Sequence, residues 1–171
     1  MGPISKITTA ALCVIFLLVA GCGPGFEGYA DQYSEAEPFT GEPWDGDQIV
    51  YVVLEDAEAT VELNGMETVE FQGVPAVHLS DVIIASGLTQ NPEVYRYDFT
   101  ATDAYNLFAK RDGDLSLLPS WTDMQNGVFY YDPSRDDLES GWFEHPWGSA
   151  VSAYRVKYMN GGTITLLEPQ S

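Results

Sequence analysis

Pro75-Ala76-Val77-His78-Leu79-Ser80-Asp81-Val82-Ile83-Ile84-Ala85-Ser86-Gly87-Leu88 changes backbone habit halfway along its length. Pro75 to Leu79 reads as extended chain. Ser80 is placed to accept hydrogen bonds from the first turn of a helix, and Asp81 suits that helix's positive end. Val82, Ile83 and Ala85 make an apolar stripe, and Gly87 suits the left-handed stop. The stretch therefore predicts a short helix entered from a strand.

Outward from it, strands dominate. Gln48 to Leu54 is a β-branched run. Thr60 to Leu63 and Glu67 to Phe71 alternate apolar with polar residues on either side of Asn64-Gly65. Asn-Gly between alternating runs signals a two-residue hairpin, because a type I′ turn needs positive φ at both positions. Residues 60–71 are thus expected to pair with each other. Downstream, Val94 to Phe99, Ala104 to Ala109 and Val128 to Tyr131 read as strands. A short helix broken at Pro119 is expected within 115–124. Residues 132–148 read as an acidic and aromatic loop, with Asp132, Asp136, Asp137 and Glu139 as a solvated face and the aromatics of Trp142 to Trp147 as core packing or, alternatively, a contact surface. Ala153 to Met159 and Thr163 to Leu167 flank Asn160-Gly161-Gly162, a second expected hairpin. The fold class expected for 48–171 is α+β, a single β-rich domain.

Three segments carry a family resemblance. The stretch 75–83 followed by Ser86-Gly87-Leu88 is similar to the part of the sulfite oxidase-type molybdopterin domain where a short strand leads into a helix ending at Gly. Thr102-Asp103-Ala104-Tyr105 looks like a degenerate form of that family's Asp-Gly-Tyr turn. Val156-Lys157-Tyr158 followed by Ile164 resembles its closing Val-Lys-Trp strand and isoleucine. The resemblance implies a compact version of that fold across about 48–168. It does not carry the activity over. The family binds molybdenum through a cysteine thiolate ahead of the helix, and the only cysteines here are Cys13 and Cys22. Arginines and histidines to hold a pterin phosphate are also few. A ligand in the cleft near the helix start would instead be neutral or cationic, with His78, Asp103, Tyr105 and His145 as candidate contacts. One histidine makes no metal site by itself. A divalent-metal site would need the two histidines to converge with Asp103 or Glu144, and neither a metal nor a cofactor is assigned. No Gly-x-Ser-x-Gly elbow and no phosphate-binding glycine loop is present, so no catalytic residue is assigned either.

The amino-terminal end says where the protein belongs. Lys6 precedes the apolar run Ala10 to Ala20, and Leu18-Val19-Ala20-Gly21-Cys22 closes it. A cation, an apolar stretch and small residues in that order make a secretory signal. The run falls short of the ~20 apolar residues that span a bilayer. It resembles the lipobox of bacterial lipoproteins, which implies cleavage before Cys22, lipid on its thiol and an acylated new amino terminus. Residues 22–47, rich in Gly, Pro and acids, then read as a tether. Gly23 is not the Asp that resembles an inner-membrane retention signal, so an outer membrane is the expected address where one exists.

Residues 1–21 carry Lys6 and no acid, so the remainder keeps all 26 acids against six cations, a formal charge of −20. Such a surface repels nucleic acid. With Cys13 removed and Cys22 lipidated, no thiol remains for a disulfide, a nucleophile or a thiolate metal site. The expected function is a non-enzymatic binding or accessory module. Its partners would be the bilayer, through acylated Cys22, and an envelope or respiratory complex. The alternative is a molybdopterin-type or metal-dependent oxidoreductase or cofactor carrier.

Overall fold

A computed structural model describes residues 47–143 and 155–169. The chain runs through β1 (Ile49–Leu54), β2 (Ala57–Glu62), β3 (Val69–Phe71), β4 (Val74–His78), α1 (Leu79–Ser86), β5 (Arg96–Thr100), α2 (Leu107–Lys110), α3 (Trp121–Asn126), β6 (Gly127–Asp132), β7 (Asp137–Trp142) and β8 (Thr163–Leu167). Single 3₁₀ turns lie at Pro92–Val94 and Leu115–Leu117. The strands form two four-stranded sheets, ordered β2-β1-β8-β5 and β3-β4-β6-β7. The α+β, β-rich expectation agrees with this arrangement.

The apolar pattern explains the layering. Val50 and Val52 of β1, Phe99 of β5 and Ile164 and Leu166 of β8 point inward from the first sheet. Val77, Phe129 and Leu138 join the same cluster from the second. Phe99 meets Phe129 edge-on across the gap, with ring centroids 6.3 Å apart. Burying an apolar side chain of this size stabilises by about 2 kcal/mol. β6 is buried along nearly its whole length, because a smaller cluster of Val69, Phe71, Ala76, Val128 and Tyr130 covers its other face. β2 is an edge strand whose Glu58 and Glu62 face solvent, a charge pattern that discourages pairing with another chain.

Both Asn-Gly signals mark turns, and neither makes the expected hairpin. Gly65 has φ of 81°, yet β2 before it pairs with β1 and β3 after it pairs with β4. The two arms of residues 60–71 therefore lie in different sheets. β1 offers β2 a longer apolar partner, with Val50 opposite Val61. The hairpins form instead at Glu55-Asp56 and Gln72-Gly73, where Leu54 faces Ala57 and Phe71 faces Val74. Gln72 and Gly73 have φ of 53° and 82°, the left-handed pair that a type I′ turn demands. The second expected hairpin also opens into a corner. Val156 accepts a hydrogen bond from Ser140 N–H at 2.9 Å, and Met159 N–H donates to Leu138 O at 3.1 Å, so residues 156–159 line the edge of β7. The chain then turns at Asn160-Gly161, and β8 enters the first sheet, parallel to β1 and antiparallel to β5.

Three smaller expectations change. His78, not Ser80, occupies the N-cap of α1, and Ser80 is buried within the helix; Gly87 supplies the expected left-handed stop at φ 66°. The expected strand 104–109 is replaced by α2, because Asn106 caps it by accepting from Ala109 N–H at 2.7 Å. The expected loop 132–148 contains β7, with Trp142 in the core and Glu139 only 1% exposed. The helix beyond Pro119 forms as expected, opened by a Ser120/Asp123 capping box.

Candidate functional site

Among the described residues, His78 and the 102–105 turn stand at different places along the second sheet. His78 ends β4 opposite Val128, which pairs in turn with Gly141. Thr102 N–H donates to Tyr158 O at 3.0 Å, and Met159 N–H donates to Leu138 O, so the 102–105 turn sits toward the other end of β7. The three residue steps from Leu138 to Gly141 span roughly 10 Å. His145 and Cys22 lie outside the described residues. Among the described residues no group of three His, Cys, Asp or Glu side chains is arranged to hold a metal ion.

Each neighbourhood has its own chemistry. The His78 ring lies 5.8 Å from that of Phe143, and its Nδ1 is buried without a hydrogen-bond partner. Asn126 Oδ1 is likewise buried and unpaired. Burial pushes the Asp81 carboxyl above its ordinary range; His78 pulls it back and Glu67 adds to the rise. At the other place, exposed Asp103 accepts from Tyr105 N–H at 3.0 Å, closing a turn on itself. Ala104 in that turn has φ of 66°. Burial raises the Tyr105 hydroxyl, against the lowering effect of Arg111.

The described surface also carries an open cleft of about 760 Å³ beside β5 and α2, lined in part by Phe108 and Leu115, which pack against the main core. Tyr97 and Phe99 of β5 point into that core, so Arg96 and Asp98 point away from it. Asp98 is buried and spent on structure. It accepts from Phe108 N–H at 2.8 Å and from Asn106 Nδ2 at 2.6 Å, which pins α2 over the strand. Arg96 lines the cleft with Phe108, Leu115, Asp112, Asp114 and Ser116. Asp114 is committed to its own turn, because Ser116 donates to it through both N–H and hydroxyl, which lowers its carboxyl. The half-buried Arg96 has no carboxylate within ion-pair distance among the described residues; its guanidinium makes one long contact to Tyr95 O.

A third polar place serves the fold. Glu139 takes an ion pair from Arg155 Nε and a second, at 3.2 Å, from Arg135. Arg155 also donates to Tyr130, whose hydroxyl is raised by burial and by the Glu139 charge. Arg135 also pairs with Asp132. Together these groups bind the β6–β7 turn and β7 to Arg155.

Sequence reasoning passed over Arg96 and read Glu139 as part of a solvated acidic face. Arg96 had a signal, as one of only four arginines in so acidic a chain. Glu139 had none, because a charged residue among acids reads as solvated. The chain matches no family model, no curated protein and no solved structure.

Proposed function

We propose that the chain is a bacterial envelope lipoprotein, held by acylated Cys22, whose β-rich domain is a compact sulfite oxidase-type fold serving as a non-enzymatic binding module. The observation that carries the binding role is the cleft at Arg96, where charged, aromatic and aliphatic groups line one space. Ala104 supports the fold. Its left-handed backbone stands where the resembled Asp-Gly-Tyr turn has glycine, the residue that such a φ favours. The resembled family's molybdenum does not fit these residues, because the only cysteines are Cys13 and Cys22, ahead of the domain, and the donor set lacks the thiolate. An envelope or respiratory complex remains the proposed protein partner, and the outer membrane the proposed address. The alternative, a cofactor carrier, draws on the unpaired His78 Nδ1 and Asn126 Oδ1, which a bound group would satisfy.

The test is mass spectrometry and elemental analysis of the protein extracted from membranes. The expected mature chain begins at an acylated Cys22 and carries no stoichiometric molybdenum, and Cys22→Ser accumulates as unlipidated precursor. An unmodified chain beginning elsewhere sinks the anchor. Stoichiometric molybdenum, or zinc lost on His78→Ala, transfers the protein to the alternative.

A further inference from the structure

The cleft beside α2 holds opposite charges that face one space without joining. Arg96 has no described carboxylate partner, although Asp112 and Asp114 line the same cleft. An arginine in a chain this acidic would ordinarily be paired. Two of the other three arginines meet on Glu139. Asp114 spends one carboxylate oxygen on Ser116, whereas Asp112 is exposed and its carboxylate has no partner among the described residues. Phe108 and Leu115 add apolar surface to the same lining.

From this juxtaposition we infer that the cleft binds a zwitterion with an apolar side chain, of the class of free amino acids and short apolar peptides. Arg96 would take its carboxylate in a two-pronged grip. Asp112 would take its ammonium group, and Phe108 and Leu115 its side chain. Net charge favours this class over its neighbours. The field of a chain carrying −19 opposes a simple anion. A simple cation leaves Arg96 unanswered and finds carboxylates over the whole surface. A neutral molecule with separated charges meets neither penalty. The inference rests on the binding-module reading and names its ligand.

The test is calorimetric titration of the purified full chain in detergent with L-phenylalanine and with the dipeptide leucyl-phenylalanine. The comparison compounds are 3-phenylpropionate, which lacks the ammonium group, and phenethylamine, which lacks the carboxylate. One or both zwitterions should bind at one site, and each single-charge compound should bind about tenfold more weakly or worse. The arm that binds better separates a free amino acid from a peptide. Arg96→Gln and Asp112→Asn should each weaken binding by about tenfold. Asn tolerates the left-handed backbone that Asp112 adopts, with φ of 53°, so that variant keeps the loop. If Arg96→Gln unfolds, Arg96→Lys keeps the charge, loses the grip and should still weaken binding. No binding of either zwitterion to the folded chain overturns the inference, as does equal affinity for the single-charge compounds or indifference to the Arg96 variants. Lipidation and metal content are measured separately, so a failure here is distinct from a failure of the module reading.

Discussion

Ala104 shows at the scale of one residue what the backbone demands of a side chain. Its φ of 66° places a Cβ in the left-handed region, which costs roughly 1–2 kcal/mol for most residues. Glycine removes that strain but loses more entropy on folding. Ala104→Gly should therefore raise stability by about 0.5–1 kcal/mol, seen as a higher urea midpoint. A lower midpoint would mean the turn is unstrained. Asp132 makes the second residue-scale prediction. Hydrogen bonds from Ser134, with help from Arg135, hold its carboxyl down to about 2 from an ordinary value of 3.8. A carboxyl lowered by folding stabilises the protein above its unfolded value and loses that effect as pH falls through the folded one. The stability gap between the wild type and Asp132→Asn should be constant above pH ~4 and shrink from there toward pH ~2. A gap that stays level across that window would remove Asp132 from the acid response.

At the scale of elements, β7 is the strand whose surroundings matter most. It pairs with β6 along one edge and takes residues 156–159 along the other. Glu139 sits in it 1% exposed, whereas the Arg155 side chain is 44% exposed. That asymmetry predicts unequal costs for breaking the pair. Arg155→Ala leaves a buried carboxylate with Arg135 as its remaining cation and should cost about 2–4 kcal/mol. Glu139→Gln leaves two arginines that can return to water and should cost about 1–2 kcal/mol. Denaturant curves of both variants decide this, and the reverse order would show that the carboxylate is not desolvated. The same element explains why the expected acidic loop is a strand. Residues 133–136 make the β6–β7 turn, while Leu138 and Trp142 alternate with Glu139 and Gly141 across the sheet.

For the whole molecule, charge sets the response to solvent. A chain carrying −19 repels itself when compact. Raising ionic strength from about 0.01 to 0.15 M shortens the screening length from roughly 30 to 8 Å. Thermal stability should rise over that range, because many exposed carboxylates are screened while the few ion pairs centred on Glu139 are partly buried. A melting temperature that falls with salt would mean attraction outweighs repulsion in this fold.

Local chemistry in the sequence determined where the chain turns, where α1 stops, that strands dominate, and that this domain is acidic and without a thiol beyond Cys22. Gly87 and Pro119 act through their own backbone limits, and such limits are legible one residue at a time. Pairing is different. Asn64-Gly65 and Asn160-Gly161 both turn the chain, yet each leads from one sheet into the other, because a strand pairs where its apolar face finds the larger core. The candidate site divides in the same way. The sequence could name His78, Asp103 and Tyr105 as chemically able residues, but their separation along β7 is a matter of register. Glu139 is a surface residue by composition and a buried one by topology. Arg96 acquires meaning only when α2 folds over β5 and puts Phe108, Leu115 and Asp112 around it. Distances between residues far apart in the chain are set by which strands lie side by side, and only tertiary packing decides that.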